Sequence, residues 1–364
     1  MSISLLFKNR ISMVLLQALM LLFFISLLGC KGDSSTGPEQ APIDQERTLN
    51  SLKKMDDYPF YTMRYYGNYG FKQYLETGNY DYLWTPTSYD NNNKFFCTCF
   101  AAMGSDSCRY FGRNFDWTEH VALLLYTDSP DGFASISMVN LEPIGFSEGD
   151  PVESQVNRRA LLRSATTPVD GINECGVAIG IMLVDYMNPP YDPGKVTIHG
   201  GLLVRLVLDY AKNSEDAVEL IRNYNFDDPM PCHFLISDSS GNSLVVEFLD
   251  NELKITENSE KWQVCTNTIL FGNQLPQKAD FQYYDADTWR RWRYAKAYEI
   301  LNECGGNITL NGAMDILSNT AANFPQDNMF TMWSAVYNQK ALSVDIVIDR
   351  DYSEVYHFSL KNFK

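Results

Sequence analysis

Cys97 stands in Phe96-Cys97-Thr98-Cys99-Phe100, and Gly112-Arg113-Asn114-Phe115-Asp116-Trp117 follows a short way on. A hairpin across this interval would bring a thiol, a guanidinium and a carboxylate together. A cysteine attacks as its thiolate, which a nearby cation favours, and it needs a base to take the proton. If Cys97 becomes the first residue of a processed chain, its own α-amine, with an ordinary pKa of about 8, can be that base. No histidine is then required.

The elements around Cys97 follow from residue pattern. Phe95 to Met103 and Arg109 to Phe115 read as two strands turning through Gly104-Ser105-Asp106-Ser107, which returns Arg113 and Asp116 toward Cys97. Further strands are expected at Val121 to Tyr126, Ala134 to Leu141, and in a pair over Ile172 to Val184 that turns near Glu174-Cys175-Gly176. Apolar residues at helical spacing from Gly201 to Ala211 predict a helix, and Ser214 with Glu215 and Asp216 opens a second one over Ala217 to Tyr224. His233 to Ser237 and Ser243 to Leu249 flank a turn, and Leu253 to Thr256 and Gln263 to Thr266 continue the sheet. Trp289 to Asn302 and Leu310 to Asn319 read as helices, and Leu342 to Asp349 with Glu354 to Leu360 as a closing strand pair. Strand groups alternating with helix pairs predict an α+β fold of antiparallel sheets covered by helices.

The chain carries a basic start (Lys8, Arg10), a largely apolar run from Ile11 to Leu28, and Gly29-Cys30. This pattern is that of an export signal, residues 1–29, and Cys directly after Leu-Gly resembles a bacterial lipoprotein box with lipidation at Cys30. An uncleaved membrane anchor is the alternative, because the run is close to the ~20 residues that span a bilayer. Lipidation predicts a cell-envelope protein, periplasmic or on the outer-membrane surface, held to the membrane by its lipid. Residues 30–47 lack apolar content and read as a flexible tether. Residues 48–96 are a Tyr-rich segment expected to act as a propeptide, and the polar loop from Thr85 to Lys94 just before Cys97 suits a cleavage site. Residues 97–364 form the catalytic domain, large enough for a substantial core.

A formal net charge of −16 opposes the electrostatic attraction that dominates nucleic-acid binding, so nucleic acid is not an expected partner. The eight cysteines include Cys97-x-Cys99 but no second pair at zinc-ribbon spacing, and the four histidines are scattered. Neither metal nor organic cofactor is expected. Most of the remaining cysteines are expected to be small buried apolar residues. Self-association into an oligomer is left open.

Taken together, Cys97-Thr98, Phe111 to Trp117, Asn173-Glu174-Cys175-Gly176-Val177-Ala178, His233 to Asp238 with Val245-Val246-Glu247, Thr266-Asn267, and Arg290 with Arg293-Tyr294-Ala295 resemble the linear amide C–N hydrolase superfamily. That superfamily holds choloylglycine hydrolases, penicillin V acylases and isopenicillin N acyltransferase-like proteins, and the resemblance spans most of residues 97–364. It implies an N-terminal-nucleophile fold, two antiparallel sheets between helix layers. It further implies hydrolysis of a linear amide in a small N-acyl substrate. Cys97 would be nucleophile and base, Arg113 would favour its thiolate, and Asp116 would hold the amine. Asn267 would donate to the developing oxyanion or orient the nucleophile, and Arg290 would support the centre from a helix, with Arg291 and Arg293 as close alternatives. Plainer roles are a buried small residue for Cys97, an ion pair of Arg113 with Asp116, a hairpin cap for Asp116 and a turn for Asn267.

Two departures stand out. Choloylglycine hydrolases carry an Asn where this chain has Leu183, and a leucine side chain cannot donate to an oxyanion. Asn173 itself reads as a turn residue before Gly176. Second, Cys30 lies far upstream of Cys97, so removing the signal cannot free the nucleophile's amine. Self-cleavage between Phe96 and Cys97 is therefore expected. The rival enzymatic reading is a papain-like Cys-His hydrolase using His233 or His199, and the nonenzymatic rival is a surface lipoprotein that binds ligands without catalysis.

Overall fold

The computed structural model describes residues 40–79, 96–104, 108–118, 121–147, 152 and 158–363. The export signal, Cys30, the first part of the tether and the loop before Cys97 lie outside the described residues. Along the chain come α1 (Gln40–Asn50), β1 (Lys53–Asp56), β2 (Phe60–Tyr65), α2 (Phe71–Thr77), β3 (Phe96–Met103), β4 (Arg109–Trp117), β5 (Ala122–Thr127) and β6 (Ser135–Asn140). They are followed by β7 (Asp170–Asn173), β8 (Ala178–Leu183), β9 (Thr197–Ile198), α3 (Gly200–Tyr210), α4 (Ser214–Ile221), β10 (Asn225–Phe226), β11 (Cys232–Ser237) and β12 (Ser243–Leu249). The last are β13 (Glu252–Glu257), β14 (Trp262–Cys265), α5 (Ala286–Glu303), α6 (Leu310–Asn319), β15 (Asn323–Phe324), β16 (Met329–Asn338), β17 (Ser343–Ile348) and β18 (Tyr356–Ser359).

The strands make two large sheets. One runs β1-β2-β5-β6-β7-β8-β11-β12-β13, and the other runs β14-β3-β4-β16-β17-β18 with β15 beside β16. Strand alternation divides the core into layers. Leu123 and Leu125 of β5 join Leu202, Leu206 and Ala217 of α3 and α4 on the outer face of the first sheet. Ala122 and Leu124 turn inward to meet Cys97, Cys99 and Trp333 of the second sheet. Phe100 and Val336 face α5 and α6 through Leu301, Ala313 and Leu317. The result is helices, sheet, sheet, helices, as expected from the sequence. Gly180 is required where the sheets approach: a Cβ there would lie 3.0 Å from Cys99 Sγ. Gly176, at φ +81°, makes the β7–β8 turn, and Asn173 Oδ1 accepts the N–H groups of Cys175 and Val177, the turn role expected of it.

Four expectations need correction. Of the flexible tether expected over residues 30–47, residues 40–47 belong instead to α1. That helix is fixed from outside, by Arg47 stacked 3.9 Å over the Tyr66 ring and by Arg158 donating to the Leu49 carbonyl, so its own low apolar content did not reveal it. The cap of α4 is Asn213, whose Oδ1 accepts from Asp216 N, rather than Ser214. Gln263 to Thr266 does not extend the sheet of Leu253 to Thr256: β14 crosses to the other sheet and pairs with β3. Finally, β16, a central strand of the second sheet, was not anticipated. It is buried on both faces and so lacks the alternation that marks half-exposed strands.

The segment before Cys97 is built into the fold. β2 pairs in parallel with β5 over six residues, from Phe60↔Ala122 to Tyr65↔Thr127. Tyr61, Met63, Tyr65, Tyr69 and Phe71 are buried in the same core as α3. Tyr69 donates its hydroxyl to Asp209, which is also paired with buried Arg205.

Candidate active site

The β3–β4 hairpin sets the register Phe96↔Asp116, Cys97↔Phe115 and Cys99↔Arg113. Cys97 is 3% exposed and its side chain faces the space between the sheets. Burial pushes its thiol up from the ordinary range. Arg113 is the largest influence pulling it back, Asp116 pushes it up, Arg293 pulls it down, and the Asp116 backbone N–H stabilises the sulfur.

Arg113 does not pair with Asp116. Its Nε lies 3.4 Å from Asp170 Oδ2 on β7, an ion pair that crosses between the sheets with both side chains fully buried. Nη1 lies 3.5 Å from Cys99 Sγ, and Nη2 is buried without a hydrogen-bond partner among the described residues. Asp170 is held in turn by Trp333 Nε1 and the Tyr337 hydroxyl. Asp170-Gly171 marks a strand start equally well, so nothing local singles out this carboxylate in the sequence.

Asp116, Arg293, Asn267 and the nitrogen of Cys97 form one network. Arg293 Nη1 donates to Asp116 Oδ2 and to Thr98 Oγ1, each at 3.1 Å, and Nη2 donates to Asn267 Oδ1 at 2.8 Å. Asn267 Oδ1 also accepts the backbone N–H of Cys97 at 2.5 Å. Its Nδ2 donates to the Leu183 carbonyl at 2.8 Å. Asn267 thus joins the nitrogen of Cys97 to the Leu183 carbonyl and to Arg293. Asp116 takes a second donor, Thr331 Oγ1 at 2.6 Å, yet burial still pushes its carboxyl up, against the pull of Arg293.

On α5 the sequence named Arg290, with Arg291 and Arg293 as close alternatives. Arg290 pairs with Asp185, an exposed partner, while Arg293 takes the central position. Trp289, Arg293, Ala297 and Leu301 are all buried and recur every four residues, so they share the buried face of α5 and Arg290 sits on its flank. That stripe was readable in the sequence and chooses Arg293. Phe96, the residue before Cys97, packs with Trp289, Ala322 and Met329, under the guanidinium carbons of Arg290 and Arg293 at 5.5 and 5.3 Å from its ring.

A cavity reaches Cys97. Arg113, Phe115 and Trp117 line it from β4, Ile181 and Leu183 from β8, and Pro168 and Val169 from the approach to β7. His199 and Asp228 add polar groups to the lining. Burial pushes the imidazole of His199 down to about 3 and the carboxyl of Asp228 up to about 6. Asp228 accepts from Gly200 N and Met230 N. His233 points elsewhere, bonded to Glu247 and to the Thr266 carbonyl. Cys99, Cys232 and Cys265 are buried free thiols, as expected of small core residues.

A sequence model of the acyl-coenzyme A:6-aminopenicillanic acid acyl-transferase family matches residues 160–352, more than half of the chain. The chain belongs to that family. This places it in the linear amide C–N hydrolase superfamily of N-terminal-nucleophile proteins. Penicillin V acylase of Pectobacterium atrosepticum is 26% identical over 45% of this chain, and the matched stretch spans 41% of that acylase. Among solved structures, a variant of the conjugated bile acid hydrolase from Clostridium perfringens aligns with a TM-score of 0.54 at 15% identity, covering 73% of this chain and 93% of that one. Penicillin V acylase from Agrobacterium tumefaciens aligns with a TM-score of 0.52 at 18% identity, covering 73% and 86%. These two likenesses establish the shared fold.

Proposed function

We propose that this chain hydrolyses the linear amide bond of an N-acyl compound, with Cys97 as nucleophile and, once freed by self-cleavage, its α-amine as base. The observation that carries the reading is the 2.5 Å hydrogen bond from the Cys97 backbone N–H to Asn267 Oδ1, on the same residue whose sulfur faces Arg113 and the cavity. A purely structural cysteine needs neither a buried polar network around its nitrogen nor a cation beside its sulfur.

In the uncut chain the Cys97 sulfur attacks the Phe96 carbonyl carbon, the C–N bond breaks, and the nitrogen leaves with a proton as an amine. Water then hydrolyses the thioester, giving a Phe96 carboxylate and the free thiol. In turnover the freed amine accepts the thiol proton while sulfur attacks the substrate carbonyl. The amine passes that proton to the departing nitrogen, and water resolves the acyl-enzyme to acid and thiol. Arg113 stabilises the thiolate, while Arg293 and Asn267 orient the amine. The apolar cavity walls suit an apolar acyl group.

The test is a panel of N-acyl amino acids, conjugated bile acids and penicillin V, assayed for released amine with wild type and Cys97→Ala. Turnover of one class that vanishes in the variant supports the reading; equal turnover by the variant contradicts it.

The lipoprotein box supports attachment to the cell envelope through Cys30. Metabolic labelling with a fatty-acid probe should mark the wild type and spare Cys30→Ser, and equal labelling of both would refute it. No helix among the described residues is long and apolar enough to cross a membrane.

A further inference from the structure

Behind Asn267 lies a second buried polar cluster that the chemistry above does not use. His233 on β11 is 1% exposed and bonded at both ring nitrogens: Nδ1 lies 3.0 Å from Glu247 Oε1, and Nε2 lies 2.6 Å from the Thr266 carbonyl oxygen. A carbonyl only accepts, so Nε2 carries a hydrogen and donates it. Glu247 on β12 accepts the N–H of Leu270 at Oε1, 2.8 Å, and that of Phe271 at Oε2, 2.7 Å. Burial pushes this carboxyl up, but its donors outweigh burial and hold it below the ordinary range. Residues 266 to 271 are thus fastened at both ends to the β11–β12 hairpin of the other sheet. Asn267 sits inside the fastened stretch.

We propose that the His233–Glu247 pair is a positioning device that fixes Asn267 and, through it, the nitrogen of Cys97. The proposal rests on the role given to Asn267 and Cys97 above. Cys265 Sγ lies 3.5 Å from His233 Nε2, so Cys265, His233 and Glu247 stand in the order of a hydrolytic triad. Two observations argue against a second nucleophilic centre. Cys265 is 0% exposed and does not line the cavity that reaches Cys97. The Nε2 hydrogen is committed to the Thr266 carbonyl, so this nitrogen cannot take a thiol proton.

The clamp's effect is geometric. A displacement of about 1 Å at a reacting group costs on the order of 100-fold in rate, and without His233 the Thr266 carbonyl loses its donor, leaving Thr266 Oγ1 on the Arg290 carbonyl, the Glu247 bonds to Leu270 and Phe271 and the side-chain contacts of Asn267 to oppose such a shift. Two rates read it in the full chain: self-cleavage between Phe96 and Cys97, followed by intact mass, and steady-state amide hydrolysis, normalised to Cys97 thiol titrated with iodoacetamide. His233→Phe, which fills the space without hydrogen bonds, is expected to slow both at least 30-fold while KM stays within about twofold. Glu247→Ala should lower kcat at least tenfold, and Glu247→Gln, which keeps an acceptor oxygen for the Nδ1 hydrogen, should recover most of that loss. A merely structural role would lower the titratable fraction and leave kcat per active site unchanged. If His233→Phe does not fold, the Glu247→Ala and Glu247→Gln comparison decides. Cleavage and kcat per site within threefold of wild type in the folded variants overturn the proposal alone. A wild type that neither cuts itself nor hydrolyses any amide overturns the proposed function, and this inference with it.

Discussion

The thiolate of Cys97 depends on a balance of single groups. Burial opposes it and Arg113 is the largest influence favouring it. Removing Arg113 alone would strand Asp170 as an uncompensated buried carboxylate, at a cost of about 3–5 kcal/mol. Arg113→Gln combined with Asp170→Asn avoids this, and the double variant is expected to fold yet lose about tenfold in Cys97 alkylation rate at pH 7.5, the effect of roughly one pKa unit. An unchanged rate would remove Arg113 from the chemistry. Arg290 and Arg293 of α5 should separate sharply. Arg293→Gln breaks a fully buried pair with Asp116 and should lower stability by about 3–5 kcal/mol and stop self-cleavage. Arg290→Gln removes a pair whose partner is largely exposed and should change stability by less than about 1 kcal/mol, as urea midpoints would reveal. At this scale the sequence identified Cys97, Arg113, Asp116 and Asn267 as a group that the fold brings together. It missed which carboxylate serves which arginine, because Arg113–Asp170 and Asp116–Arg293 are contacts between distant segments that local spacing does not encode.

The hairpin of β3 and β4 was legible from its apolar strands and turn residues, and it alone supplies the sulfur, the Arg113 cation and the Asp116 carboxylate. The segment before it was harder to read. A Tyr-rich stretch with scattered glycines gives no clean period, yet β2 adds to the first sheet beside β5 and its residues enter the main core. The cut at Phe96–Cys97 therefore should not release this segment. After cleavage, denaturing gels should show two pieces that elute as one species from a sizing column in native buffer and separate only in denaturant. A fully active enzyme recovered without the N-terminal piece would contradict this. The pairing of β2 with β5 was not predictable from either strand alone, because parallel partners are chosen by the completed sheet.

Across the molecule, the layered α+β architecture could be read from alternating strand groups and helix pairs, and the fold shared with known N-terminal-nucleophile hydrolases agrees with it. The cavity could not, since it is assembled from β4, β8, the approach to β7 and the start of α3. It carries a global consequence through His199. Its imidazole takes up a proton in the unfolded chain below about pH 6.5 but in the folded chain only near 3, so acidification through this window favours unfolding. At pH 5 the difference is about 2 kcal/mol, from 1.5 units at about 1.4 kcal/mol each. His199→Gln should match the acid sensitivity of wild type poorly: the two urea-derived stabilities should diverge by that amount in the variant's favour between pH 7.5 and 5. A constant difference at both values would mean that His199 is not held neutral.

The decisive measurement is intact mass with amino-terminal sequencing of the catalytically active species, followed over time from the freshly purified chain. The account predicts that activity appears in step with a piece whose first residue is Cys97, and that Cys97→Ala yields neither. Full activity in a species that still carries Phe96 joined to Cys97 by a peptide bond would contradict it.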